Sequence, residues 1–101
     1  MSGLVSFAPE AEAQLASIYR YIAGEASPEV ARTFTDQIVS KCESLALFPH
    51  RGAPHDDVRP GLRTVPFRRR VTIAYSVQAD RVTILGLFYA GQDFRSLLAP
   101  D

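Results

Sequence analysis

Arginine supplies all the positive charge of the C-terminal part of the chain. Residues 62–101 contain six arginines, three aspartates and no lysine, a balance of +3, whereas residues 1–61 contain five Lys/Arg and eight Asp/Glu, a balance of −3. A guanidinium is planar and donates parallel hydrogen bonds, which suits carboxylates and phosphates. This half therefore predicts contacts with an acidic protein segment or with phosphate, and charges that guard a solvated strand edge are the structural alternative. The arginines are Arg63, Arg68, Arg69, Arg70, Arg81 and Arg95.

Three of these arginines are consecutive and precede an alternating apolar run. In a strand, alternation would place Arg68 and Arg70 on the face opposite Val71 and Ile73. An exposed strand entry, where charge discourages edge pairing, would explain them. The same side chains could also grip phosphate oxygens or an acidic partner segment. We favour partner binding for Arg68, Arg69 and Arg70.

Two histidines lie in the proline-rich segment 49–61, and Asp56 and Asp57 follow the second of them. Together His50, His55 and the two carboxylates could bind a metal, although adjacent loop residues rarely converge on one ion. A histidine could instead act as a general base. The favoured interpretation is a solvated loop. The sequence has no glycine-rich phosphate loop, paired Cys/His spacing or nucleophile elbow, so we expect no cofactor and no metal.

Residues 63–89 give the strongest secondary-structure signal. β-branched and aromatic residues recur at every second position in two runs, which the polar residues 78–81 separate, and this pattern predicts a β-hairpin. We expect one face of the first strand to carry Val71, Ile73, Tyr75 and Val77. We expect one face of the second strand to carry Val82, Ile84, Gly86 and Phe88, and the other face to carry Thr83, Leu85, Leu87 and Tyr89.

Two amphipathic helices are predicted before the hairpin. The first begins at Pro9 and ends near Gly24. The second begins at Pro28, after the good N-cap Ser27, and ends at Phe48, because the residue before a proline resists the helical region. Their apolar stripes are Ala11, Leu15, Ile18 and Ile22, flanked by Tyr19, in the first helix, and Ala31, Phe34, Ile38, Cys42 and Leu45 in the second.

The remaining elements are short. Strands are expected at residues 4–7 and 62–65, and a turn at 90–93 leads to one helical turn at 94–98. The order β-α-α-β-β-β predicts an α+β fold, with an N-terminal strand and an antiparallel helical hairpin packed on one face of a mostly antiparallel sheet. We expect a single domain over residues 1–101.

Composition places the chain among soluble globular proteins. The apolar fraction is 47% and the charged fraction 22%. No apolar run approaches the roughly 18 residues of a membrane span, and the N-terminus has no basic start followed by an apolar stretch. The single cysteine, Cys42, lies on an apolar stripe and is interpreted as a small core residue. We therefore expect a cytoplasmic protein that does not bind membranes.

Several short motifs follow one another in a specific order. The helix opening F-x-P-E-A-E at residues 7–12 precedes I-x-x-Y-I at 18–22 and S-L-x-x-F-P-x-R-G at 44–52. R-P-G-L-R at 59–63, P-F-R-R-R-V-x-I-x-Y-x-V at 66–77 and I-L-x-L-F-Y-A-G-Q-D-F at 84–94 come next. In order and spacing, and over nearly the whole chain, these motifs resemble the ParE branch of the RelE/ParE toxin superfamily, also called plasmid-stabilisation proteins.

The resemblance implies the toxin of a type II toxin–antitoxin pair. The antitoxin would be a small protein with a DNA-binding end and a segment that wraps the toxin. Toxins of the ParE branch are associated with inhibition of DNA gyrase, whereas the RelE branch cleaves mRNA on the ribosome without a metal. DNA gyrase and a cognate antitoxin are therefore the expected partners, and the toxin is expected in a hetero-oligomer with the antitoxin, without direct DNA contact of its own.

The two branches make different chemical demands. RNA cleavage needs a group that activates the 2′-hydroxyl, cations that stabilise the phosphorane and an acid for the leaving oxygen. By resemblance, the sheet position that usually holds arginine in RelE-like nucleases falls on Thr72. The basic positions of their last turn fall on Gln92 and Asp93, and their C-terminal tyrosine position falls in 97–99. These departures favour a protein-binding toxin over an enzyme. A different nuclease site is an alternative, and its candidate residues are Arg63, Arg70, Arg81 and Tyr89.

The antitoxin is expected to cover the helical hairpin and the arginine run. Its apolar side chains would lie against the helical hairpin, and its acidic ones near the arginines. A toxin that has lost its toxicity and only binds antitoxin is a third hypothesis. The partner-binding candidates are Leu15, Ile18, Tyr19, Ile22, Arg68, Arg69, Arg70 and Phe94.

Overall fold

Two helices and a five-stranded mixed sheet make up the fold in a computed structural model of the protein. The structure describes residues 5–79, 81–89, 95 and 98. The sheet order is β1-β5-β4-β3-β2, with β1 parallel to β5 and the other pairs antiparallel. This confirms the α+β fold. The elements are β1 Val5–Phe7, α1 Pro9–Glu25, α2 Pro28–Ser44, a 3-10 helix Pro49–Arg51, β2 Ala53–Pro54, β3 Leu62–Phe67, β4 Val71–Gln78 and β5 Arg81–Tyr89.

Both helices begin where the sequence indicates. The side chain of Ser27 accepts a hydrogen bond from the amide of Val30 at 3.1 Å, whereas the start of α1 has no side-chain cap. The predicted end of α2 at Phe48 is wrong, because the helix ends at Ser44. From Leu45 onward the amides bond to carbonyls three residues back, so the chain tightens into turns before the proline.

The apolar stripes of both helices face one side of the sheet, as predicted. Ala11, Ile18 and Ile22 of α1 are buried there. The α2 stripe packs beside them and includes Cys42, which has no exposed surface. Burial, and secondarily the charge of Glu43, raises the pKa of the Cys42 thiol to about 12, which fits the predicted core role.

A β-bulge in β5 overturns the predicted faces of this strand. Ala74 pairs with Gly86, but Tyr75 pairs with Ile84, so Leu85 is an extra residue. One inserted residue sends every later side chain to the other face. Val82, Ile84 and Leu87 therefore lie on the helix side with Tyr89 packed against them. Phe88 lies on the opposite face with Leu62 and Ala74, and Gly86 is next to its ring.

Three smaller expectations also change. The loop 49–61 contains the short strand β2, and β3 continues two residues beyond the predicted end. Arg68–Arg70 is the turn between β3 and β4, not a strand entry. The predicted turn 90–93 and Phe94 lie outside the described residues, whereas Arg95 and Leu98 are helical. Among the described residues, no helix has the length and hydropathy that crossing a bilayer requires.

Candidate protein-interaction surface

The arginine turn is held in an unusual backbone conformation. The amide of Arg70 donates to the carbonyl of Phe67 at 3.0 Å, and the two residues between them, Arg68 and Arg69, have φ of 52° and 58°. Such turns normally use Asn and Gly, because a Cβ in the left-handed region costs roughly 1–2 kcal/mol per residue. Within the described part of the chain, the side chains of Arg69 and Arg70 make no hydrogen bond or ion pair, and all three arginine side chains are exposed. The turn is a strained and fully charged loop tip.

An aromatic cluster supports this tip from below. The guanidinium of Arg68 lies 5.3 Å from the ring centroid of Phe67, within the range of a cation–π interaction. Phe34 of α2 packs edge-on against Phe67 at 5.5 Å and against Tyr89 at 6.2 Å. Tyr89 in turn contacts Tyr21 of α1 at 5.7 Å. Both helices and the ends of two strands therefore position the Phe67 ring over which Arg68 lies.

A groove runs between α2 and the arginine turn, and we call it the α2–turn groove. Its volume is about 300 Å³. Val30 is 51% exposed at this groove, although most apolar side chains of α2 are in the core. The Oε1 atom of Gln37 is buried without a hydrogen-bond donor among the described residues. The lining residues are Glu29, Val30, Thr33, Phe34, Gln37 and Arg68.

The predicted contact residues of α1 pack in or at the edge of the protein's own core. Ile18 and Ile22 are buried against the sheet, so they are core residues in this conformation. Leu15 and Tyr19 are half-buried at the edge of the same core, and a partner contact with them stays a prediction. Sequence reasoning missed Tyr21, which is 56% exposed and aromatic.

The four candidate nuclease residues do not converge. Arg70 and Tyr89 lie at one end of the β4–β5 hairpin, and Arg81 lies at the other, roughly 26 Å away along the strand at the usual rise. Arg63 donates from Nη1 to the carbonyls of His50 at 2.9 Å and Gly52 at 2.7 Å. Arg63 therefore fastens a loop, and the described residues place no compact set of these groups around one phosphate.

A second exposed apolar feature follows α2. Leu47 is 70% exposed and Phe48 is 64% exposed, with the guanidinium of Arg51 6.0 Å from the Phe48 ring centroid. The loop behind them is anchored by Tyr75, whose hydroxyl donates to the carbonyl of Pro49 at 2.8 Å. We call Leu47, Phe48 and Arg51 the loop platform. The sequence signal for this feature is the Leu-Phe pair beyond the apolar stripe, of which Phe48 alone predicts a helix end.

The histidine loop is engaged in internal contacts. His55 contacts Thr64 Oγ1 through Nε2 at 2.9 Å and Arg95 through Nδ1 at 3.3 Å. Because a guanidinium only donates, Nδ1 accepts and Nε2–H donates to the threonine. Arg95 also pairs with Asp57 at 2.9 Å, and this hydrogen bond lowers the pKa of the Asp57 carboxyl. These contacts join the loop to Arg95 near the C-terminus, and both ring nitrogens of His55 already have protein partners.

Comparison with known proteins agrees with this architecture. A family model described as "ParE toxin of type II toxin-antitoxin system, parDE" matches residues 5–94. The chain is also similar to a solved structure titled "Chromosomal ParDE TA system from P. aeruginosa", with a TM-score of 0.75 and 24% identity. The alignment covers 86% of this chain and 95% of that one, and at this identity it shows a shared fold. No curated protein sequence matches the chain.

Proposed function

The chain belongs to the ParE toxin family of type II toxin–antitoxin systems, and from this we propose that it stops growth by binding DNA gyrase and that a cognate antitoxin neutralises it. The observation that carries the proposal is the family match over residues 5–94. Gyrase and the antitoxin would both be met in the cytoplasm. Inhibition would come from occupying a protein surface rather than from a chemical step on a substrate.

The distribution of polar groups supports a binding mechanism. A nuclease must place a base, cations and an acid within a few ångströms of one phosphate. Here Arg81 and Tyr89 lie at opposite ends of β5, and Arg63 holds a loop. The exposed features are instead suited to protein contact, since the loop platform and the arginine turn combine apolar surface with guanidinium groups.

Neutralisation would require a partner that covers these features. Exposed apolar side chains next to exposed arginines favour an amphipathic antitoxin segment with acidic residues near the turn. Such a segment would also bury Val30 and add carboxylates beside Arg69 and Arg70. The complex would be a hetero-oligomer of toxin and antitoxin.

Induced expression in cells tests the proposal. Gyrase inhibition predicts that a reporter plasmid loses negative supercoiling before growth stops, while primer extension on abundant mRNAs shows no new cuts. Co-expression of the antitoxin should restore both growth and supercoiling. Normal plasmid topology together with codon-linked mRNA cleavage would contradict the proposal and would identify an endonuclease.

A further inference from the structure

We infer that the α2–turn groove is a peptide-binding site that takes an acidic, partly apolar segment of another protein. In this site a carboxylate of the segment binds Arg68, an apolar side chain covers Val30, and a backbone amide meets Gln37. The inference deepens the proposed neutralisation, on which it rests for the identity of the partner, by naming a surface and the chemistry of the segment that fills it.

The conformation of the arginine turn is the first argument. Arginine at two consecutive left-handed positions costs stability that Asn and Gly would not cost. The guanidinium of Arg68 nevertheless lies over the Phe67 ring, and Arg68 lines the groove. A charged group that is both strained and held in place is preorganised for an anionic ligand.

The buried amide of Gln37 is the second argument. Its Oε1 atom is buried and has no donor within the described residues. Exchange of the amide oxygen and nitrogen would leave an orphan donor in the same place. Gln37 as a whole is half-buried and lines the groove, so a rotation of its side chain brings the amide to a bound segment, whose backbone N–H and C=O satisfy either orientation.

The mixture of groups in the groove selects a peptide over a nucleic acid. Val30 and Phe34 give the groove an apolar floor, which a sugar-phosphate backbone does not use. Glu29 stands at the same groove and would repel a run of phosphates, whereas a peptide can place one carboxylate at Arg68 and a neutral or basic residue beside Glu29. One cationic position, one anionic position and an apolar surface between them match a short protein segment.

The test begins with one random library of short displayed peptides, selected in parallel against the wild-type protein and against Val30→Asp. Val30 lies in the first turn of α2, where an acidic residue suits the helix dipole, so this variant should fold. Enriched peptides are then synthesised, and their Kd values are measured by fluorescence anisotropy. We expect the wild-type selection to yield peptides with an acidic residue close to an apolar one.

Three substitutions should each weaken these peptides. Val30→Asp and Arg68→Glu should raise Kd by about tenfold or more. A peptide whose acidic residue is replaced by lysine should bind the Arg68→Glu protein more tightly than it binds the wild-type protein. Gln37→Leu should raise Kd by about tenfold while raising the Tm of the free protein, because it removes the orphan group. A purely structural glutamine would not give this opposite pair of changes.

Matched controls lie outside the groove. Ala13→Asp, Arg81→Glu and Gln78→Leu introduce an acid, reverse a charge and remove an amide at exposed positions, and each should change Kd by less than about threefold at physiological salt. No enriched peptide, a basic consensus, or equal binding to Val30→Asp would overturn the inference. An RNA oligonucleotide that displaces the probe peptide and depends on Arg68 would also overturn it.

The closing comparison separates this inference from the proposed function. If the antitoxin binds the Val30→Asp and Arg68→Glu toxins with wild-type affinity, the groove is not its binding site, while the proposed neutralisation still stands. A wild-type toxin that no antitoxin neutralises would remove the proposed function, while the peptide Kd values would still decide whether the groove binds peptides.

Discussion

The amide of Gly52 donates a hydrogen bond to the hydroxyl of Tyr75 at 3.0 Å, and a side chain on Gly52 would occupy the space of that hydroxyl. The carbonyl of Thr64 lies on the same side, 2.9 Å from where a Cβ would be. The contact fastens the loop behind the platform to the centre of the sheet. Glycine is therefore required at this position by space rather than by backbone angle.

Replacement of Gly52 by alanine should destabilise the protein by about 1–3 kcal/mol, since the Tyr75 hydrogen bonds must break or the sheet must shift. Gly24→Ala is the matched control, because a Cβ at Gly24 meets nothing within 4 Å. In helix α1 this change should stabilise by up to about 1 kcal/mol. Urea unfolding of both variants measures the difference, and equal effects would show that the Gly52 contact is not restrictive.

The buried thiol of Cys42 should make stability fall at alkaline pH. Its pKa is raised from 9.0 in the unfolded chain to about 12 in the folded one. As the pH rises, the thiol of the unfolded chain therefore ionises before that of the folded protein. The free energy of unfolding is unaffected by this group below pH 9 and falls as the pH rises toward 12, by at most about 4 kcal/mol. Burial also raises the pKa of Tyr75, which acts in the same direction.

Chemical unfolding at several pH values measures this slope. Cys42→Ala should be less stable at neutral pH, because it leaves a small cavity, but its stability should fall less steeply above pH 9. The folded wild-type thiol should also resist alkylation at pH 8 unless denaturant is present. An identical alkaline slope in the alanine variant would assign the pH dependence to other groups.

The bulge at Leu85 predicts unequal roles for two leucines that simple alternation would place together. Leu87 is fully buried on the helix side of the sheet, whereas Leu85 is half-buried on the other. Leu87→Ala should cost about 2–5 kcal/mol, and Leu85→Ala about 1 kcal/mol or less. Thermal or urea unfolding compares them, and similar losses would mean that the strand register without a bulge is the right one.

The arginine turn predicts a salt-dependent antitoxin complex. Charge reversal of Arg68, Arg69 and Arg70 should weaken the complex and flatten the dependence of its Kd on ionic strength, because the turn would no longer attract carboxylates. Arg81→Glu at the far end of the hairpin is the matched control and should preserve both quantities. Calorimetric titrations at low and high salt give the comparison, and an unchanged salt slope would place the antitoxin on another face.

Local signals in the sequence are sufficient for the starts of both helices and for the inward face of β4. Ser27 and Pro28 define the start of α2, and alternation at Val71, Ile73 and Tyr75 identifies the helix side of β4. These features depend on neighbouring residues, so a single sequence contains them. The α+β fold and the family followed from such patterns together with their order.

Features that depend on pairing across the sheet were not predictable in the same way. Nothing near Leu85 indicates an insertion, because a bulge is defined only relative to the opposite strand. The turn at Arg68 and Arg69 lacks the Asn-Gly signature, and the alternation of residues around it predicts a strand. The left-handed backbone of these two residues could therefore not be predicted from the sequence. The groove beside Val30 likewise depends on how α2 lies against that turn.

The most direct measurement is a supercoiling assay with purified DNA gyrase, relaxed plasmid and increasing amounts of the toxin. The account predicts loss of supercoiling as the toxin approaches and exceeds the gyrase concentration, and recovery when purified antitoxin is added. Heat-unfolded toxin, prepared from the same stock, should have no effect. Unchanged supercoiling at a large stoichiometric excess of folded toxin would contradict the central claim.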